Sequence, residues 1–338
     1  MPNIRNAAKT HSPTAISGFT RKLQLVARTE AADGADSPTQ NLTSIPAGYV
    51  RKIMHRNAPP ATAEFRNPAA LSGFIRHGGC RLYYEVCGQG RPLALLHGLA
   101  ADLASWLPVK RLLAEHFTLI LTDNRLSGRS SAGPSAVTAK TVARDLKTVL
   151  DGLGIKKAAV LGHSMGGYAA QEFAALFPKA VSALILESTA ATASARDRAL
   201  FAAWSETLSR EGYTEQFWRC MFPWMLSPEI YAERPDFAEA AVKAASGYQY
   251  LPSPDKFARQ AGLAAAFNGA GILKKIKAPA LVISGERDIL ITPHESRALA
   301  AGIAKARFTL MRGAGHIPHL ERPAAFCRLL SDFLARHP

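Results

Sequence analysis

Cysteine is scarce in this chain of 338 residues: Cys80, Cys87, Cys220 and Cys327 are the only four. No Cys-x-x-Cys pair or Cys/His cluster is present to bind zinc. Cys80 and Cys87 read as members of one strand. Seven residues of extended chain hold them roughly 23 Å apart, too far for a bridge within that strand. Free thiols in a reducing compartment fit this usage. Long apolar runs are also lacking. Nothing approaches the roughly twenty apolar residues of a membrane span, and no apolar stretch suits a secretory signal. Acid is short relative to base, 26 residues against 41, for a formal net charge of +15. The Lys and Arg residues are scattered, with no basic stripe and no nucleic-acid-binding module, so nucleic acid is not an expected partner. The excess describes an Arg-rich surface with weak attraction for anions.

What remains is a globular composition, 48% hydrophobic and 20% charged, able to bury a sizeable core. Residues 1–70 stand apart. They are rich in Ala, Pro, Thr, Ser and Asn, have no sustained apolar period, and end in the linker-like Asn57-Ala58-Pro59-Pro60-Ala61-Thr62. The first 29 residues carry Arg5, Lys9, Arg21, Lys22 and Arg28 and no acid. An organelle transit peptide has that composition. So does a disordered extension or a misassigned start codon. The expected location is the cytoplasm, or an organelle if the segment is a targeting peptide.

From Leu71 onward strands and helices alternate. Arg81 to Val86 reads as a strand. The short apolar runs Leu93 to Leu96, Thr118 to Leu121, Ala158 to Leu161, Ala183 to Leu186, Ala280 to Ile283 and Phe308 to Met311 suit buried parallel strands. Between them, Val142, Leu146, Val149, Leu150 and Leu153 share one helical face. This pattern predicts an α/β fold, a mostly parallel sheet with helices on both faces and a ligand outside the carboxyl ends of the strands. Residues 189–270 interrupt it. They are rich in Ala and aromatics and punctuated by Pro, as expected of a helical cap. The core then comprises residues 71–188 and 271–338.

The sharpest motif is Gly162-His163-Ser164-Met165-Gly166, after an apolar strand and before a helix that Pro178 stops. A nucleophile elbow has this context. Side chains two residues either side of Ser164 would clash, hence the glycines, and the helix N-terminus favours negative charge there. A serine hydroxyl needs a base, and the base needs a third group to hold it. His316, in Gly313-Ala314-Gly315-His316 after the last strand, is the expected base. His319 is its rival, although the helix entering at Pro323 should carry His319 away. Asp288, in Gly285-Glu286-Arg287-Asp288 after another strand, is the expected acid, with Glu286 and Glu187 as rivals. The backbone N–H groups of Met165 and Leu99 are the expected oxyanion donors, Leu99 through the loop His97-Gly98-Leu99. His97 is expected to fix that loop by hydrogen bonding.

With these residues in view, residues 73–338 resemble the α/β-hydrolase superfamily, in particular its capped esterase, lactonase and cofactor-free haloperoxidase branches. The matching marks are His97-Gly98 with Trp106, Asp123 through Ser130, Gly162 through Gly167, Gly285 through Asp288, and Gly315-His316 with Glu321 and Pro323. Leu126 departs from the family pattern Asp-x-Arg-Gly-x-Gly-x-Ser, standing at its first Gly. Ser164 differs from the Asp nucleophile of dehalogenases and epoxide hydrolases. His163 and Ile317 differ from the Asn and Trp that flank the site in carbon–carbon hydrolases. Met165 differs from the Trp of proline iminopeptidases. Functionally the resemblance leads to 3-oxoadipate enol-lactonases and related small-ester hydrolases, partly through Ser188-Thr189-Ala190-Ala191.

The expectation is therefore a serine hydrolase that cleaves a small carboxylic ester or lactone through an acyl-enzyme, with no metal or organic cofactor. Carbon–carbon or amide hydrolysis by the same triad is one alternative, and a non-catalytic ligand receptor on the same fold is another. Trp106, Trp204, Trp218 and Trp224 are the expected pocket residues, weighed against plain core packing. The sequence carries no signal of oligomeric state.

Overall fold

The computed structural model describes residues 71–133 and 136–337. The extension expected at residues 1–70 lies outside the described residues.

Eight strands form one sheet: β1 (Leu71–His77), β2 (Cys80–Gly88), β3 (Arg91–Leu96), β4 (Phe117–Thr122), β5 (Ala158–His163), β6 (Val181–Glu187), β7 (Ala280–Gly285) and β8 (Ala306–Met311). Their order is β1-β2-β4-β3-β5-β6-β7-β8. β2 runs antiparallel to β1 and β4, and the remaining pairs are parallel. Parallel neighbours need crossovers, which helices supply. Helix α1 (Leu107–Ala114) links β3 to β4, α2 (Ala139–Gly152) links β4 to β5, and α3 (Met165–Leu176) links β5 to β6. Between β6 and β7 come five helices: α4 (Ala195–Glu211), α5 (Glu215–Met225), α6 (Pro228–Glu233), α7 (Pro235–Ser246) and α8 (Pro254–Ala266). Proline opens the last three, in the first turn, where its missing N–H would have had no intrahelical partner. Helix α9 (Pro293–Ala301) joins β7 to β8, and α10 (Pro318–Glu321) and α11 (Pro323–Ala335) follow.

The central strands are apolar on both faces because both faces are covered. Leu93 and Leu95 of β3 share a buried cluster with Val109 and Leu113 of α1 and with Phe326 and Leu330 of α11. Ala94 and Leu96 point the other way and are equally buried. On that side α2 packs on α3. A complete capping box starts α2 at Thr138. Cys80, Cys87 and Cys327 are buried free thiols, and Cys220 on α5 is an exposed one. Burial pushes the Cys327 thiol up to about 12. No helix among the described residues is long and apolar enough to cross a membrane.

The sheet order turns at β3, which has β4 on one side and β5 on the other. The connections leaving β3 and β5 therefore diverge to opposite faces, and a crevice opens between them at the strand C-termini.

Candidate active site

Ser164 sits where β5 ends and α3 begins, with φ +52° and ψ −119°. A non-glycine residue at positive φ stores strain, on the order of 1–3 kcal/mol, and persists only where its surroundings impose it. Here they do. Ser164 N–H donates to the Glu187 carbonyl at 2.9 Å, while its own carbonyl accepts from Gly167 N–H at 2.8 Å and from the Thr189 hydroxyl at 2.9 Å. The flanking glycines are required by backbone contact: a Cβ on Gly162 would lie 2.5 Å from the Gly166 carbonyl oxygen, and one on Gly166 would collide with that of Leu96. Met165 is the first residue of α3, so its N–H has no intrahelical acceptor.

His316 and Asp288 arrive on the loops after β8 and β7. His316 Nδ1 donates to Asp288 Oδ2 at 2.9 Å, with both side chains fully buried. The other carboxylate oxygen accepts the N–H groups of Leu290 at 3.0 Å and Ile291 at 2.9 Å. With Nδ1 committed, the free lone pair is left on Nε2, which has no partner among the described residues. His316 N–H donates to the Met225 carbonyl at 2.9 Å, so the end of α5 also grips this loop.

The loop after β3 passes against the serine. A Cβ on Gly98 would stand 3.3 Å from Ser164 Cβ and 3.0 Å from His163 Nδ1. His97 fixes this loop. Its Nε2 accepts Asn124 N–H at 3.0 Å, so Nδ1 carries the proton and donates to the Gly98 carbonyl at 2.9 Å. In a planar trans peptide the C=O and the following N–H point in opposite directions. Holding the Gly98 carbonyl therefore turns Leu99 N–H away from His97. Both His97 and His163 are fully desolvated and held below the usual histidine range, His163 far below, with His316 and His319 adding to the shift. Neutral His163 gives its Nε2 proton to the His316 carbonyl at 2.9 Å.

Next to this loop lies the stretch after β4. Arg125 is buried and makes a two-point pair with Asp145 at 2.5 and 2.6 Å. Asp123 accepts N–H groups from Leu103 at 3.0 Å and Arg129 at 2.7 Å. Burial, reinforced by nearby Asp102, pushes its carboxyl up to about 7. Leu126 has φ +72° and is fully buried, so it holds the left-handed geometry that a glycine at that position would adopt freely.

Two of the three rivals named from the sequence, His319 and Glu187, pair with each other, while Glu286 accepts Gly313 N–H at 3.1 Å. His319 Nδ1 lies 2.9 Å from both oxygens of Glu187, and His319 N–H donates to one of them at 2.9 Å. The pair is buried, and His319 Nε2 is left without a partner among the described residues. His319 is thus not carried away by the following helix, contrary to expectation. His319 is the second residue of the short α10, which begins at Pro318 just after the His316 loop, so it stays beside the site. The His319 ring lies 4.5 Å from that of Trp106 and 5.1 Å from that of His163.

These groups surround a cavity of about 80 Å³. That is room for several water molecules, or for a small organic group in their place. Ser164, His316, His319, His163, Gly98 and Leu99 line its core side, while Phe201, Trp204, Met221 and Met225 line the side of the inserted helices. Of the four tryptophans expected there, Trp204 alone is in the lining. Trp106 is wholly buried in the cluster of α1 and α11, and Trp218 stacks on Tyr213 at 5.5 Å inside the insert. Trp224 is half-buried and outside the lining. Aromatic content marked the region but not the direction each ring takes. Phe201 with Trp204, and Met221 with Met225, are spaced by one helical turn, but Trp218, three residues before Met221, shares that spacing and packs on Tyr213, so periodicity alone does not separate lining residues from packed ones. Among the described residues no group of His, Cys, Asp and Glu is arranged to hold a metal ion.

Three comparisons bear on this geometry. The family described as alpha/beta hydrolase fold matches residues 91–323. A putative carbamate hydrolase, RutD, of Azorhizobium caulinodans is 30% identical over 260 residues, 76% of this chain and 96% of that protein. A proline iminopeptidase of Lactobacillus delbrueckii subsp. lactis is 27% identical, over 77% of this chain and 97% of its own. Among solved structures, the enol-lactonase from Burkholderia xenovorans LB400 superposes with a TM-score of 0.71 at 26% identity, covering 78% of this chain and all of that one.

Proposed function

The chain belongs to the α/β-hydrolase family, and on that premise we propose that it is a serine hydrolase that opens a small carboxylic ester or lactone through an acyl-enzyme at Ser164. The observation that carries the reading is the strained serine at the β5–α3 turn, facing the same cavity as a buried His316 whose Nδ1 is already committed to Asp288. His316 Nε2 takes the Ser164 proton as the hydroxyl attacks the carbonyl carbon. Asp288 holds the ring in the required tautomer and stabilises the imidazolium that forms. Leu99 and Met165 N–H groups receive the oxyanion, each worth about 3–4 kcal/mol of transition-state stabilisation. His316 then protonates the leaving alcohol and activates the water that frees the acid. The inserted helices act as a cap that limits the acyl group to what the small cavity holds.

A carbamate is the second reading, because the RutD relative carries that activity in its name. The same attack and the same oxyanion contacts serve it, with carbamate in place of carboxylate ester.

Labelling with a fluorophosphonate, followed by turnover of short esters, lactones, carbamates and amides, tests both. The expected result is labelling at Ser164, loss of kcat by roughly 10⁴–10⁶-fold in Ser164→Ala, and fastest turnover of esters or lactones. Retained activity in that variant overturns the nucleophile. Preference for carbamates moves the substrate class to the second reading. Tight ligand binding by an unlabelled, inert protein overturns hydrolysis altogether.

A further inference from the structure

The inserted helices touch the loop that carries Leu99 through hydrogen bonds that packing alone does not require. Gln260 of α8 is fully buried. Its Oε1 accepts Ala100 N–H at 3.0 Å, and its Nε2 donates to the Leu126 carbonyl at 3.0 Å and to the Ser127 hydroxyl at 2.9 Å. Ala100 and Leu126 are two of the four non-glycine residues at positive φ among those described, at +60° and +72°. One amide side chain thus ties together two strained turns that follow different strands. Tyr248, between α7 and α8, adds a second contact: its hydroxyl donates to Asp102 Oδ2 at 2.6 Å, while Asp102 Oδ1 accepts Ala104 N–H at 2.8 Å. The Arg129 guanidinium stacks on the Tyr250 ring at 4.2 Å beside them.

From this geometry we infer that Gln260 is a positioning residue for the oxyanion hole, so that the insert completes the catalytic geometry as well as covering it. Ala100 N–H belongs to the peptide that joins Leu99 to Ala100. His97 holds the preceding peptide, the one that carries Leu99 N–H, through the Gly98 carbonyl. Only the φ and ψ of Leu99 lie between the two. With one peptide anchored by the core and the next anchored by Gln260, Leu99 N–H has a fixed direction. Without Gln260, Ala100 loses the contact that holds its left-handed conformation, and the peptide beside Leu99 is free to turn. A donor aimed at a developing charge is valuable only while its direction is fixed in advance. The insert therefore controls how well the transition state is held, separately from how substrate fits the cavity. The inference rests on the serine-hydrolase reading and adds to it a residue outside the expected triad and donors.

The test uses the full chain with a short p-nitrophenyl ester and a trifluoromethyl ketone, which adds to a nucleophilic serine and leaves an oxyanion in the hole. Gln260→Met keeps length and bulk but removes all three hydrogen bonds. Its expected kcat is about 10–100-fold lower, with KM within about twofold, and its affinity for the ketone falls by the same factor as kcat/KM. Tyr248→Phe, which removes only a hydroxyl, should lower kcat and ketone affinity together by about three- to tenfold, and it decides the question if Gln260→Met fails to fold. Gln260→Glu keeps the acceptor for Ala100 N–H and should recover part of the loss. If kcat and ketone affinity are unchanged in variants whose Ser164 still reacts with fluorophosphonate, the positioning role is overturned and the hydrolase reading stands. A lower melting temperature with unchanged ketone affinity also overturns it, because that is what a packing role alone would give. If Ser164 of the unaltered chain fails to react with fluorophosphonate, the hydrolase reading falls and the positioning role falls with it.

Discussion

At the scale of single residues, the site holds two histidine–carboxylate pairs of nearly equal burial, and their carboxylates differ in what else binds them. Asp288 takes two further backbone N–H groups at one oxygen, leaving the other for His316. Glu187 spends both oxygens on His319. If His316 is the base, Asp288→Asn should lower kcat by roughly 10³–10⁴-fold through loss of the required tautomer, and Glu187→Gln should lower it by less than about tenfold. The reverse order in steady-state kinetics would exchange the roles. Leu126 offers a different test, of strain against burial. Relief of a left-handed leucine is worth about 1–2 kcal/mol, whereas removal of a fully buried leucine side chain costs about 2–5 kcal/mol. Leu126→Gly should therefore lose stability by urea denaturation, by up to about 4 kcal/mol, even though glycine suits the backbone there. A gain in stability would show that strain dominates.

At the scale of elements, the central strands were legible because burial on both faces writes itself as unbroken apolar sequence; β8, expected from Phe308 to Met311 as a buried strand, is an edge strand with Met311 alone buried. β5 and β7 are buried throughout. β1 was not legible as a strand. Leu71-Ser72-Gly73-Phe74-Ile75-Arg76-His77 is an edge strand with one buried residue, Ile75, so it carries no apolar run. The pairing of Glu187 with His319 was equally hidden, since 132 residues separate the partners and only the sheet order brings them together. The insert was visible as helical and aromatic, but its lining face was not. Trp204→Ala, on the cavity side of α4, should change the ratio of kcat/KM between short and bulky esters by several-fold, since one pocket methylene is worth about 1–3 kcal/mol. Trp218→Ala, packed against Tyr213 and Phe222, should lower the melting temperature and leave that ratio unchanged. Equal loss across substrates in Trp204→Ala would remove α4 from substrate discrimination.

For the molecule as a whole, two buried histidines contribute to how stability depends on pH. His97 and His163 have folded-state values below the ordinary 6.5, so below about pH 6.5 the unfolded chain binds protons that the folded chain refuses. Their contribution is present above that pH and lost as pH falls. Asp123, raised from 3.8 to about 7, acts oppositely, its contribution being lost as pH rises across that interval. Urea midpoints at pH 7.5 and pH 5 should therefore be compared between the unaltered chain and His163→Gln, since the Asp123 contribution cancels in the difference. The unaltered chain should lose more on acidification; an equal loss would mean that His163 takes up its proton while folded.

The uneven exposure of the thiols has a practical consequence. Three are buried in the core, and the fourth, Cys220, stands on the outer face of α5, the helix whose Met221 and Met225 line the cavity and whose last residue holds His316. A maleimide dye should attach at that one place with no cysteine removed by mutagenesis. Its fluorescence would then report whether the surroundings of α5 change when a ligand enters, which steady-state rates do not record.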